Sequence, residues 1–200
     1  MPLTVEELRQ RREQARRDIR ARSGKVKDLM ICCGTGCVAG GSLRIKEAIE
    51  REVAQRGLGN QVRVVGTGCN GFCGQGPLLV VMPDGTFYGW LKPEDAPTLV
   101  EEHLVKGHPI RKFMFISPDT KQPIPLLSDI PFFKKQMPVV LRNKGLIDPE
   151  SVDDYIAREG YQGLEQVLTS LTPEQVIEQI TLSGNPASTS NPNVYGSYST

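Results

Sequence analysis

Apolar positions recur with two different periods along this chain, and the switches between them mark its elements. Residues 1–24 read as a helix, opened by a Thr4–Glu7 capping-box pattern and closed by Gly24. Leu29-Met30-Ile31 is a short, wholly apolar run and predicts a buried strand. Ile45, Ala48, Ile49 and Val53 then fall on one face of a helix that Ser42 can cap and Gly57 can end. Lys46/Glu50 and Glu47/Arg51 pair at i,i+4 spacing on its other side. Gln61 to Val65 alternates as a strand, and Leu78 to Met82 is apolar throughout, as a central strand is. Pro83-Asp84-Gly85 turns the chain into a return strand from Thr86 to Leu91. A helix from Pro93 to Lys106 follows, stopped by Gly107 and Pro109. Strand, helix, strand, hairpin strand and helix in that order predict a small α/β sandwich.

Beyond this the pattern changes. In residues 113–148, Pro118, Pro123, Pro125, Pro131 and Pro138 break any long element. They leave an extended arm with two apolar patches, Phe113-Met114-Phe115 and Pro131-Phe132-Phe133. Such patches lie either on the first domain or on another surface. Residues 149–181 return to helix, one segment opened by Pro149 and another by the capping box Thr172-Pro173-Glu174-Gln175. Residues 183–200 carry no charge and read as a disordered polar tail.

Charge changes the picture little. The 200 residues carry a net charge of +1, which gives no electrostatic case for a nucleic-acid partner. It is locally uneven: from Arg9 to Lys27 there are nine Lys and Arg against Glu13 and Asp18. That stretch is either a solvated helix face or a docking helix for an acidic partner. No apolar run approaches the roughly 18 residues of a membrane span, and no signal-peptide core is present. The chain is therefore expected to be cytoplasmic, without membrane insertion.

The cysteines change it more. All five, Cys32, Cys33, Cys37, Cys69 and Cys73, lie in less than a quarter of the chain. In a chain with no secretion signal, such clustering favours metal or redox chemistry over a disulfide framework. Nine of the 20 glycines accompany them, in windows 34–41 and 66–76 that contain no charged side chain. Two uncharged Gly-Cys loops can wrap an anionic centre and aim N–H groups at its sulfurs. The N-terminus of the helix near Ser42 suits the same charge. The spacing is Cys32-x4-Cys37 and, after a long gap, Cys69-x3-Cys73, with Cys33-x3-Cys37 as the other first pair. Three readings remain open at this point: an iron–sulfur cluster, a zinc site, and redox thiols. Gly34-Thr35-Gly36 is neither a dinucleotide fingerprint nor a phosphate loop. His103 and His108 read as ordinary residues of a helix and its exit.

The strings ICCGTGCVAGGS and GTGCNGFCGQGPLLVV resemble the thioredoxin-like [2Fe–2S] ferredoxins. These form the small subunit of the NADH-oxidising module of respiratory complex I. They also occur fused ahead of flavoprotein subunits in NAD-linked and electron-bifurcating hydrogenases. The resemblance implies a thioredoxin-like fold over residues 26–112, with Cys32, Cys37, Cys69 and Cys73 as cluster ligands and Cys33 as a free thiol. It also implies an electron-transfer role in an NAD(P)H dehydrogenase or hydrogenase-type oxidoreductase. The alternative is a zinc-binding interaction module or a vestigial fragment. Residues 113–182, including IPFFKKQMPVVLRNKGLIDPESVDDYIAREGY, are similar to the start of the flavoprotein subunit itself. In the fused relatives that stretch leads into a glycine-rich FMN loop, whereas this chain departs after Ser183-Gly184. The expected organisation is a basic helix (1–25), the cluster domain (26–112), a flavoprotein-like arm and helices (113–182), and the tail (183–200). The helices of 149–181 must then pack on the cluster domain or expose apolar faces. FMN and NAD(H) would sit only on a partner chain, the flavoprotein, alongside other iron–sulfur subunits.

Overall fold

The computed structural model describes residues 3–183, so all but the first residue of the expected tail lies outside the described residues. Its centre is a four-stranded mixed sheet of order β2-β1-β3-β4. β1 is Lys27–Cys32, β2 Val62–Thr67, β3 Leu79–Met82 and β4 Thr86–Tyr88. β1 runs parallel to β2, pairing Ile31 with Gly66 and Cys32 with Thr67, and antiparallel to β3, pairing Ile31 with Leu79. β3 and β4 form the expected hairpin, which pairs Leu79 with Tyr88.

The apolar run of β1 serves both faces of the sheet, because successive side chains point to opposite sides. Leu29 and Ile31 join Leu79, Val81 and Tyr88 on one face. This face is covered by Ile45, Ala48, Ile49 and Val53 of α3 (Ser42–Gln55) and by Ala96 and Leu99 of α4 (Ala96–Leu99). Met30 and Cys32 join Val80 and Phe87 on the other face, with Cys37 and Ile130. A short helix, α2 (Thr35–Ala39), lies inside the first Gly-Cys loop.

Several element ends differ from the sequence reading. Ser42 does not cap α3; it is the helix's first residue, and the cap is Gly41 at φ 97°, a left-handed conformation that glycine adopts without strain. The return strand stops at Tyr88, and Trp90 follows at φ 52°. The helix expected from Pro93 to Lys106 is a 3-10 turn, then α4, then a wider π turn over Val100–Val105. Its backbone bonds shift register here, with Lys106 N–H donating to the Glu101 carbonyl at 3.1 Å.

The proline-rich arm packs on the first domain. Its two-stranded hairpin, β5 (Phe115–Ile116) with β6 (Pro123–Ile124), delivers residues 125–127 to the open side of β4. There Phe87 N–H donates to the Pro125 carbonyl at 2.7 Å and Leu127 N–H to the Gly85 carbonyl at 2.9 Å, so the sheet edge is covered. Ile130 then plugs the second sheet face with no exposed surface, just before α5 (Pro131–Lys134).

The N-terminal helix α1 (Val5–Arg22) carries the predicted Thr4–Glu7 capping box. Its acidic partners lie in the same chain. Arg11 pairs with Asp153 of α6 (Val152–Ala157) at 2.6 Å. Arg9 and Arg12 grip Glu165 of α7 (Gln162–Ser170) at 2.6 and 2.8 Å. Arg63 bridges Asp28 and Asp154, tying α6 to the sheet. α6 starts at Val152 rather than at Pro149, because the Ser151 side chain accepts from Asp154 N–H and supplies the cap. α8 (Pro173–Leu182) has the expected Thr172–Gln175 capping box. Ile156 and Ala157 are buried, while Leu164, Leu168, Ile177 and Ile180 remain exposed.

Candidate metal centre

The sheet delivers the cysteines from two directions. Cys32 ends β1 and donates its N–H to the Leu78 carbonyl at 3.1 Å. Five residues later, α2 presents Cys37. Both are buried. β2 ends at Thr67, and the loop beyond it carries Cys69 and then Cys73, the first residue of a 3-10 turn. These two are exposed. The centre is therefore closed on the first-loop side and open on the second.

Each loop's glycines make room for the other loop's sulfurs. A Cβ on Gly34 would lie 2.6 Å from the Cys69 Cβ and 2.9 Å from its Sγ. A Cβ on Gly36 would lie 3.3 Å from the Cys73 Sγ, and one on Gly76 would lie 2.9 Å from the Cys37 Sγ. Gly66 backs onto Cys33 in the same way, at 2.9 Å. The glycines that looked in sequence like freedom for the backbone thus serve chiefly as clearance. Within the second loop Gly71 N–H donates to the Cys69 Sγ at 3.3 Å.

The thiols perturb one another. Burial, followed by the hydrogen bond that the Cys37 thiol donates to Cys32 and the charge of Cys32, pushes Cys37 up to about 12. The charge of Cys69 is the main cause raising Cys73, and burial is the main cause raising Cys33. The hydrogen-bonded partners are Cys32 with Cys37 and Cys69 with Cys73, one pair from each loop. Raised in this way, Cys33, Cys37 and Cys73 keep their protons at neutral pH unless a cationic centre displaces them. Among the described residues, no three or more His, Cys, Asp or Glu side chains are grouped to hold a metal ion. The four thiols stand instead as two pairs, one on each loop, with Gly34, Gly36 and Gly76 making room between them, and two pairs of sulfur donors are the set that a two-iron cluster would take once deprotonated. Cys33 sits behind Gly66, its N–H donating to the Thr67 carbonyl at 2.8 Å.

Three residues that sequence reading did not single out hold the open loop. Phe72, just before Cys73, stacks on Phe132 of the arm at 4.8 Å and meets Phe115 and Phe133. Trp90 donates its backbone N–H to the Gln75 carbonyl at 2.9 Å and its indole N–H to the Gly74 carbonyl at 3.2 Å. Lys144 donates to the Asn70 carbonyl at 3.1 Å. Their position in sequence gave no signal except for Phe72, which sits inside the motif. His103 is remote from the cysteines, buried against Tyr88.

A family profile described as thioredoxin-like [2Fe–2S] ferredoxin matches residues 19–104. The chain is 37% identical over 76 residues to the 2Fe-2S ferredoxin of Clostridium pasteurianum, covering 38% of this chain and 74% of that protein. It is 31% identical over 99 residues to a putative 2Fe-2S ferredoxin of Priestia megaterium, covering 50% and 77%. It is also 55% identical over 51 residues to the NADP-reducing hydrogenase subunit HndC of Solidesulfovibrio fructosivorans, covering 26% of this chain but only 10% of that subunit. Among solved structures, the thioredoxin-like [2Fe–2S] ferredoxin from Aquifex aeolicus matches at 30% identity and a TM-score of 0.43, covering 45% of this chain and 96% of the other.

Proposed function

The chain belongs to the thioredoxin-like [2Fe–2S] ferredoxin family, and from that premise we propose that it passes single electrons between a [2Fe–2S] cluster and a flavin on a partner chain. The ligands would be Cys32, Cys37, Cys69 and Cys73. The observation that carries the reading is the interleaving of the two loops, with Gly34 clearing Cys69 and Gly76 clearing Cys37. A bound cluster supplies one-electron transfer at these sulfurs.

The protein's own residues do the rest. Cys32 and Cys37 anchor the buried side. The Gly71 N–H stabilises charge on the Cys69 sulfur. Exposure of Cys69 and Cys73 gives a partner close access to that side of the centre. Phe72 and Trp90 brace the open loop, through ring contacts with the arm and through hydrogen bonds to Gly74 and Gln75.

The partner is inferred from two features. One relative is a subunit of an NADP-reducing hydrogenase, and residues 113–182 resemble the start of a flavoprotein subunit. A place in a multi-subunit NAD(P)H dehydrogenase or hydrogenase-type enzyme follows, with FMN and NAD(H) on the partner. Among the described residues no helix is long and apolar enough to cross a membrane.

The test is anaerobic purification with iron, sulfide and zinc analysis, absorption and EPR. Equal iron and labile sulfide, a visible chromophore and an EPR signal on reduction are expected. Cys69→Ala, which leaves no ligand atom, should abolish the chromophore and Cys33→Ala should keep it. Colourless protein with stoichiometric zinc would replace this reading with the zinc-binding interaction module.

A further inference from the structure

We propose that Lys144 is an electrostatic positioning residue for the metal centre: the arm clips its ammonium onto the loop between Cys69 and Cys73, where it raises the reduction potential. The proposal rests on the cluster reading above. Lys144 Nζ donates to the Asn70 carbonyl at 3.1 Å. It also lies 3.8 Å from where a Cβ on Gly71 would stand, next to the amide that bonds the Cys69 sulfur. The neighbouring residue locks the same contact. Gly145, at φ 72°, packs so closely on Asn70 that a Cβ there would come within 2.7 Å of Asn70 Oδ1. Asn70 is buried although Cys69 and Gly71 on either side are exposed. The arm is thus fitted to this loop at two consecutive residues.

The charge is isolated. Neither Gly-Cys window carries a charged side chain, and from Phe132 to Ile147 the arm has Lys134, Lys135, Arg142 and Lys144 with no acid. Among the described residues no salt bridge involves Lys144. Its half-buried ammonium therefore acts on this loop without a carboxylate paired to it. A thiolate-bound cluster becomes one unit more negative on reduction, so a fixed cation beside it favours the reduced form. The arm that carries Lys144 lies outside residues 19–104, the stretch that the family profile matches.

The experiment is an EPR-monitored redox titration of the full chain, comparing wild type with Lys144→Gln, Lys144→Glu and Lys144→Arg. Glutamine keeps a donor for the Asn70 carbonyl but removes the charge. The midpoint should move to more negative potential in Lys144→Gln, further in Lys144→Glu, and return towards wild type in Lys144→Arg, with unchanged g values. Gly145→Ala, which keeps the charge but displaces it from Asn70, should shift the midpoint in the same direction as Lys144→Gln. Wild-type potential in Lys144→Gln and Lys144→Glu overturns the assignment while leaving the cluster reading intact. A wild-type chain with no [2Fe–2S] signal overturns both.

Discussion

Gly34 backs directly onto Cys69, and a methyl group at residue 34 would fall 2.6 Å from the Cys69 Cβ. No side-chain rotation relieves a clash at that distance, because the atom met is a Cβ, with the Cys69 Cα only 3.1 Å away. Gly34→Ala must therefore push the two loops apart. The sheet and α3 do not depend on that contact. We expect Gly34→Ala to keep its far-UV circular dichroism and lose most of its iron. Gly74→Ala is the control, since a Cβ there meets nothing within 4 Å. Equal iron content in the two variants would show that clearance at Gly34 is not what closes the site.

Ile130 has no exposed surface and packs with Met30, Val80 and Phe87 on the second face of the sheet. The arm that carries it is consequently part of the core. Ile130→Ala should destabilise the protein by about 2–5 kcal/mol, read from chemical unfolding. Because Cys37 shares that cluster, iron should also be lost faster to a chelator. An unfolding midpoint equal to wild type would mean that the arm detaches without cost.

The contrast between the local and the distant explains what could be read from the sequence. The two Gly-Cys loops, β1, β3 and α3 announce themselves within a dozen residues each, through period, run length and glycine placement. The five-residue α2 has no period to detect. That Ile130 would fill the face left open by Met30 depends on a contact a hundred positions away. The same holds for α1. Its basic face reads as either a solvated face or a docking surface for another protein, yet the acids that meet it, Asp153 and Glu165, are more than 140 positions along the same chain. Ser42 misled for a different reason: it has the right chemistry for a cap, but Gly41 has the conformation.

Arg12 shows how α1 is held. It is buried, donates to Glu165 at 2.8 Å, and its Nε finds no acceptor. Removing Glu165 alone leaves a poorly compensated charge in a dry place. Glu165→Gln should therefore lower the melting temperature more than the double variant Arg12→Met/Glu165→Gln, in which no such charge remains. A double variant at least as unstable as the single would show that the ion pair itself, rather than the penalty of an orphaned guanidinium, dominates here.

The pH dependence of stability should centre on His103. The residue is 2% exposed, and its Nδ1 lies 2.7 Å from the Tyr88 hydroxyl. That hydroxyl already accepts from the Ile110 N–H at 2.9 Å, and burial pushes Tyr88 up to about 12. Tyr88 thus keeps its proton and donates it to Nδ1, which makes His103 neutral with its hydrogen on Nε2. Burial, seconded by the charge of Lys27 and opposed by Asp84, lowers the His103 pKa from its ordinary value. The unfolded chain therefore binds the proton at a higher pH than the folded one. Stability is full above about pH 6.5 and falls as the pH drops from there through the lowered folded value, since ∂ΔG/∂pH is positive wherever the unfolded state holds more protons. Protonation also removes the acceptor that Tyr88 uses. His103→Gln, whose amide oxygen can accept the same bond without titrating, should flatten this limb. The measurement is the melting temperature between pH 8 and 5 for both proteins, with the difference between the curves isolating His103 from the carboxylates. Parallel curves would mean that His103 takes up its proton in the folded protein as readily as in the unfolded chain, and that the Tyr88 bond does not hold it neutral.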